Sequence, residues 1–138
     1  MTELKSMLQR DDVRGVVRSA NGTLRVFHRQ GVADLFELLS HGPQILEGAS
    51  VADRVIGRGA ALLMVKGGVR EVFAYVISQP ALDILREADI PTSFATLQPN
   101  IINRTGTDIC PIEKLTVATT DPDEAYRLIG DFLNATNT

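Results

Sequence analysis

The chain has no tryptophan, one cysteine, two histidines and only 5% aromatic residues. A single thiol, Cys110, excludes an internal disulfide and any Cys-x-x-Cys site. The scarcity of aromatics leaves little surface on which unpaired bases could stack. Positive charge is also short, with 14 Lys and Arg against 17 Asp and Glu and a net charge of −3. Arg10, Arg14, Arg18, Arg25 and Arg29 crowd the first thirty residues, but Glu3, Asp11 and Asp12 dilute them. That pattern reads as a solvated face, so nucleic acid is not an expected partner. The longest purely apolar run, 60–65, falls far below the roughly 20 residues of a membrane span. The amino terminus MTELKSMLQRDD lacks the apolar stretch of a signal peptide. A cytoplasmic protein without a membrane partner is therefore expected.

What the chain does have is enough apolar material for a core. It is 138 residues long, 44% hydrophobic and 22% charged, which fits one domain spanning 1–138. Leu4, Met7 and Leu8 predict a helix within 2–12, with Thr2 as its cap. A β-hairpin follows, with Val16-Val17 and 24–28 flanking Asn21-Gly22, a pair suited to a tight turn. Leu24, Val26 and His28 should share one face of its second strand, with His28 partnered and half-buried. A short helix over 32–39 is stopped by His41-Gly42-Pro43, and His41 reads as a helix-end residue rather than a ligand. Ser50 then predicts the cap of a long helix over 51–66, with Asp53 in its first turn. Gly57 and Gly59 inside that helix imply that something approaches closely. Gly67-Gly68 closes it.

The segment 71–78, EVFAYVIS, is apolar on both faces, as a covered central strand would be. Pro80 opens the next helix, a strand follows over 92–97, and the succession implies a parallel right-handed crossover. A polar loop runs to Cys110, Pro111 starts a helical turn, and Asp121-Pro122 begins a final helix carrying Ala125, Leu128, Ile129, Phe132 and Leu133. The expected fold is a three-layer α/β/α domain, a hairpin followed by parallel strands with helices on both faces.

The stretch GRGAALLMVKGGVREVFAYVIS, followed by INRTGTDICPIEK, resembles a prokaryotic family of uncharacterised small proteins with a cytidine-deaminase-like fold that lacks the zinc-binding motif. The resemblance covers about Val16 to Lys114 and implies a fold without a known activity. Zinc deaminases place His/Cys-x-Glu at the start of one helix and Pro-Cys-x-x-Cys at the start of the next. Here the corresponding stretches are Ile56-Gly57-Arg58 and Pro80-Ala81-Leu82-Asp83-Ile84, with Ala81 and Ile84 at the cysteine positions. Neither side chain binds a metal, so no metal and no cofactor are expected, and zinc-dependent deamination is rejected.

Gly57, Arg58 and Gly59 instead suggest an anion site, since a helix amino terminus with an adjacent arginine suits phosphate or carboxylate. The alternative is close packing at the glycines with Arg58 paired inside the protein. Asn103, Arg104, Thr105 and Asp108 lie beyond the carboxyl end of a parallel strand, where ligands of α/β sheets gather, and lead to Cys110 and Glu113. Such residues also form turns by satisfying their own backbone. Cys110 before Pro111 reads as a nucleophile activated by a helix start, or else as an inert buried thiol. Three readings follow. The first is a metal-free domain binding a small anionic metabolite, such as a nucleotide or nucleotide sugar. The second is an enzyme using Cys110 covalently. The third is a non-catalytic regulatory or assembly module, self-associating as a homodimer through an exposed hairpin edge.

Overall fold

The computed structural model describes residues 1–29, 32–101 and 111–136. Its frame is a five-stranded mixed sheet in the order β2-β1-β3-β4-β5, flanked by helices. Strands β1 (Gly15–Arg18) and β2 (Leu24–Phe27) form the expected hairpin, with Gly15 opposite Phe27 and Arg18 opposite Leu24. Its turn works as Asn-Gly chemistry requires. Gly22 takes φ 92°, and the Asn21 side chain accepts the Thr23 N–H at 3.0 Å.

The largest departure from the sequence reading comes next. Residues 51–56 are not helical: β3 (Ser50–Ile56) is a strand, antiparallel to β1 and parallel to β4 (Glu71–Ser78). The helix α4 (Arg58–Gly67) starts only after it, so Ser50 caps nothing and Asp53 sits in mid-strand. Both faces of the first half of β3, Ser50 to Ala52, are covered, which removes the alternation that marks a half-buried strand. Val51 packs into the main core, while Ala52 packs against the helix on the opposite face.

The rest follows the local signals. Gly68 at φ 77° ends α4, and Ser78 caps α5 (Gln79–Glu87) by accepting the Ala81 N–H at 3.2 Å. Strand β5 (Thr92–Gln98) pairs parallel to β4, Val72 opposite Thr92 and Ser78 opposite Gln98. Helices α6 (Pro111–Leu115) and α7 (Pro122–Thr136) complete the described chain, and the Asp121 carboxylate receives the Asp123 N–H at 3.0 Å.

The two faces are unequally covered. The main core joins one face of the sheet to α4, α5, α7, α2 (Ala33–His41) and α3 (Pro43–Leu46), through Leu63, Leu82, Leu85, Ile129 and Leu46. On the other face α1 (Thr2–Met7) sets Leu4 and Leu8 against Val16, Ala52 and Phe73. The amino-terminal cap of α1 is Met1 rather than Thr2, with no side-chain hydrogen bond. Arg54 of β3 fastens this helix by its carboxyl end, giving hydrogen bonds to the carbonyls of Leu8 (2.8 Å), Arg10 (2.5 Å) and Val13 (2.6 Å). The Leu8 carbonyl is at the helix end, where a cation meets the negative end of the dipole, and those of Arg10 and Val13 belong to the turn beyond it. His28 is more exposed than its strand position suggested: its ring is 60% exposed, with Nδ1 2.9 Å from the Asp12 carbonyl. Among the described residues no helix is long and apolar enough to cross a membrane.

Candidate functional site

In the parallel part of the sheet, β3 and β4 each run directly into a helix, so the amino termini of α4 and α5 lie side by side at the carboxyl ends of their strands. The partial positive charge of both helices gathers there. The Glu113 carboxylate, carried by α6 and 4% exposed, occupies the junction. Its Oε1 accepts the backbone N–H of Arg58, the first residue of α4, and the Ser78 hydroxyl at 3.2 Å. Ser78 in turn caps α5, so one carboxylate oxygen ties the two helix starts together. Gly57 makes the approach feasible, since a Cβ there would come within 2.5 Å of Glu113 Oε1 and 3.2 Å of Ile101 Cγ1.

The Arg58 side chain turns away from this carboxylate. Its Nε donates to the Thr116 carbonyl at 2.6 Å and one terminal nitrogen to the Thr119 carbonyl at 2.5 Å. Both carbonyls belong to the segment that leaves α6. Helix α6 is therefore held twice, through Glu113 and through Arg58.

Gly59 provides a third contact. A Cβ on it would collide with Ile112 Cγ2 and lie 3.2 Å from Ile129 Cδ1. Ile112 is β-branched, so its Cγ2 cannot swing aside without a change of χ1 or a shift of α6. Gly59→Ala should therefore lower stability by up to about 2 kcal/mol, an overpacking cost of about 1–3 kcal/mol less the helix-propensity gain of roughly 1 kcal/mol. Urea unfolding reads this directly, and a more stable variant would show that α6 yields freely.

An open trough of about 510 Å³ runs beside this junction, along α5. Arg58, Gln79, Pro99 and Thr120 line it, together with Asp83 and Glu87 further along the helix. Asp83 receives the Gln79 amide at 2.8 Å. Gln79, Asp83, Glu87 and Thr120 were not singled out from the sequence. The i, i+4, i+8 spacing on α5 was the available signal, and it reads equally as a solvated helix face.

Of the residues the sequence singled out, Gly57, Arg58, Gly59 and Glu113 come together here. Asn103, Arg104, Thr105, Asp108 and Cys110 lie outside the described residues. Among the described residues no group of three His, Cys, Asp or Glu side chains could hold a metal ion.

The model of the TM1506 family, a domain of unknown function (DUF1893), matches residues 3–133. The chain belongs to the DUF1893 family. A solved DUF1893 family protein, TM1506 from Thermotoga maritima, is similar to it with a TM-score of 0.84 and 26% sequence identity. That similarity covers 94% of this chain and 87% of the Thermotoga chain. No curated protein matches it. For this DUF1893 chain, then, the chemistry has to be argued from its own residues.

Proposed function

We propose that this protein is a metal-free, cytidine-deaminase-like domain that binds a small metabolite through an anionic group, in the trough beside Arg58. The observation that carries this reading is the trough itself, at the carboxyl ends of three parallel strands, with Arg58 among its lining residues. Open α/β sheets place their ligands at that end. The deaminase-like reading rests on the strand order β2-β1-β3-β4-β5, with β1 antiparallel to both its neighbours, and on two helix starts converging at one point. Where a zinc deaminase brings metal ligands to two helix starts, this chain brings the Glu113 carboxylate.

Glu113 also refines the anion site. The first N–H of α4 already has a carboxylate, so the incoming anion meets the Arg58 guanidinium instead. That group has five donors, of which the two carbonyl contacts use two. Asn103, Arg104, Thr105 and Asp108 belong to this proposal as ligand-binding residues, and Cys110 as a nucleophile or a lining residue. Their segment joins Ile101, which lies against Gly57, to Pro111 at the start of α6.

The test is a panel of nucleotides and nucleotide sugars, screened by thermal shift and followed by calorimetry. Ligand at about a hundred times its Kd stabilises a fold by roughly 2.7 kcal/mol, which a melting curve resolves. Arg58→Ala should weaken binding at least tenfold, a loss of about 1.4 kcal/mol, and Arg58→Lys less. A panel without any shift, or an Arg58→Ala variant of unchanged affinity, overturns the reading.

A further inference from the structure

The trough is electrically two-ended. Arg58, Thr120 and Pro99 stand at the end where α5 begins, because the α5 cap Ser78 shares the Glu113 carboxylate oxygen with the Arg58 N–H. The positive end of the α5 dipole points the same way, with the Glu113 carboxylate already set against it, so the charge an anion meets at this end is that of Arg58. Asp83 and Glu87 line the trough four and eight residues beyond Gln79, roughly 6 and 12 Å along the helix at about 1.5 Å per residue. Both are exposed. Asp83 holds the Gln79 amide on one oxygen and keeps further lone pairs, since a carboxylate offers about four acceptor sites. The wall between them is apolar, formed by Pro80 and Ile84.

A purely anionic ligand lying in this trough would place its far end against two carboxylates. Like charges at that range repel, whereas an ammonium would be attracted to both. We infer that the ligand is an elongated zwitterion, with a phosphate or carboxylate at Arg58 and an amine at Asp83 or Glu87, joined by an uncharged spacer over Pro80 and Ile84. This inference rests on the trough being the ligand site and adds the class of molecule it selects.

The test uses ω-aminoalkyl phosphates with about two to six methylenes, a range set by the helix rise. Alkyl phosphates of the same lengths and inorganic phosphate serve as comparison, with binding followed by amide chemical shifts. The amine should improve affinity at least tenfold at the best length. Asp83→Asn combined with Glu87→Gln should remove that gain without weakening the alkyl phosphates. Both side chains are exposed, so the double variant should fold.

Equal binding of the amino and plain alkyl phosphates overturns the zwitterion inference and leaves the anion site standing. Inorganic phosphate as tight as the best probe, with shifts confined to Arg58 and its neighbours, marks an adventitious ion only and also overturns it. No shift with any probe overturns both the inference and the reading of the trough beneath it.

Discussion

Glu113→Ala is expected to lower the unfolding free energy by about 2–6 kcal/mol, a large share of the 5–15 kcal/mol typical of a domain. The carboxylate does three things at once. It accepts the first N–H of α4, it accepts the Ser78 hydroxyl, and it sets a negative charge between two helix amino termini. Truncation leaves an N–H and a hydroxyl in a closed space, at about 1–3 kcal/mol for each group left unpaired. It also removes one of the two fastenings of α6, leaving Arg58 on the carbonyls of Thr116 and Thr119 as the other. Glu113→Gln keeps an acceptor oxygen and much of the shape, so its loss should be about 1–2 kcal/mol, chiefly the charge at the helix ends. Ser78→Ala should cost about 1 kcal/mol as a lost cap, and the double variant with Glu113→Ala should cost less than the sum because the two side chains share a bond. Chemical denaturation at neutral pH measures all four proteins. A Glu113→Ala variant within 0.5 kcal/mol of the parent would mean that the junction holds together without its carboxylate.

The same junction shows why part of this fold could be read in advance and part could not. Where the deciding chemistry is local, expectation and structure agree. Pro80 one residue inside α5, Gly68 at the end of α4, Asp121-Pro122 at the start of α7 and Asn21-Gly22 in the hairpin each act on their own backbone. The strand β3 failed that test because its determinants are distant. Val51 and Val55, like Ala52 and Ile56, sit four apart, Ser50 imitates a cap, and Asp53 imitates a first-turn acid. What makes the segment a strand is pairing on both edges, with Val51 opposite Val17 and Val72, and coverage of both faces at Val51 and Ala52. Two local signals were available: the β-branched content of Val51, Val55 and Ile56, and Gly57 as a boundary rather than an interior residue.

The site divides in the same way. Arg58 and Glu113 could be named as polar residues near helix starts, but not that the carboxylate would satisfy α4 while the guanidinium turned to Thr116 and Thr119. Those partners lie 55 to 61 residues apart in sequence. The trough along α5 was invisible for a related reason: Asp83 and Glu87 acquire meaning only once Arg58 stands opposite them.

Asp53, once moved from a helix start into β3, gives the second large prediction. Its carboxyl is pushed up to about 7, first by burial and further by the negative charge of Asp34. The N–H groups of Arg54 and Val55 and the charge of Arg14 oppose the shift without cancelling it. Gly15 leaves room for the carboxyl, whose carbon would lie 3.4 Å from a Cβ there. In the unfolded chain an aspartate ionises near 3.9, so between about pH 4 and 7 the unfolded chain has released this proton while the folded one retains it. Fewer protons on the unfolded state mean stability that falls as pH rises. The contribution is full below pH 4, declines to pH 7 and is flat above. Three units at 1.36 kcal/mol each set a ceiling of about 4 kcal/mol, and water reaching the partly exposed residue should bring it to about 2–3. Asp53→Asn keeps an oxygen for the two N–H groups and never ionises. It should match the parent at pH 4, exceed it by about 2–3 kcal/mol at pH 8, and flatten the profile between. Urea unfolding of both proteins at pH 4, 6 and 8 decides the matter. Parallel profiles would place the titration elsewhere, and an asparagine variant weaker at pH 8 would mean that the ionised carboxylate supports β3 rather than straining it.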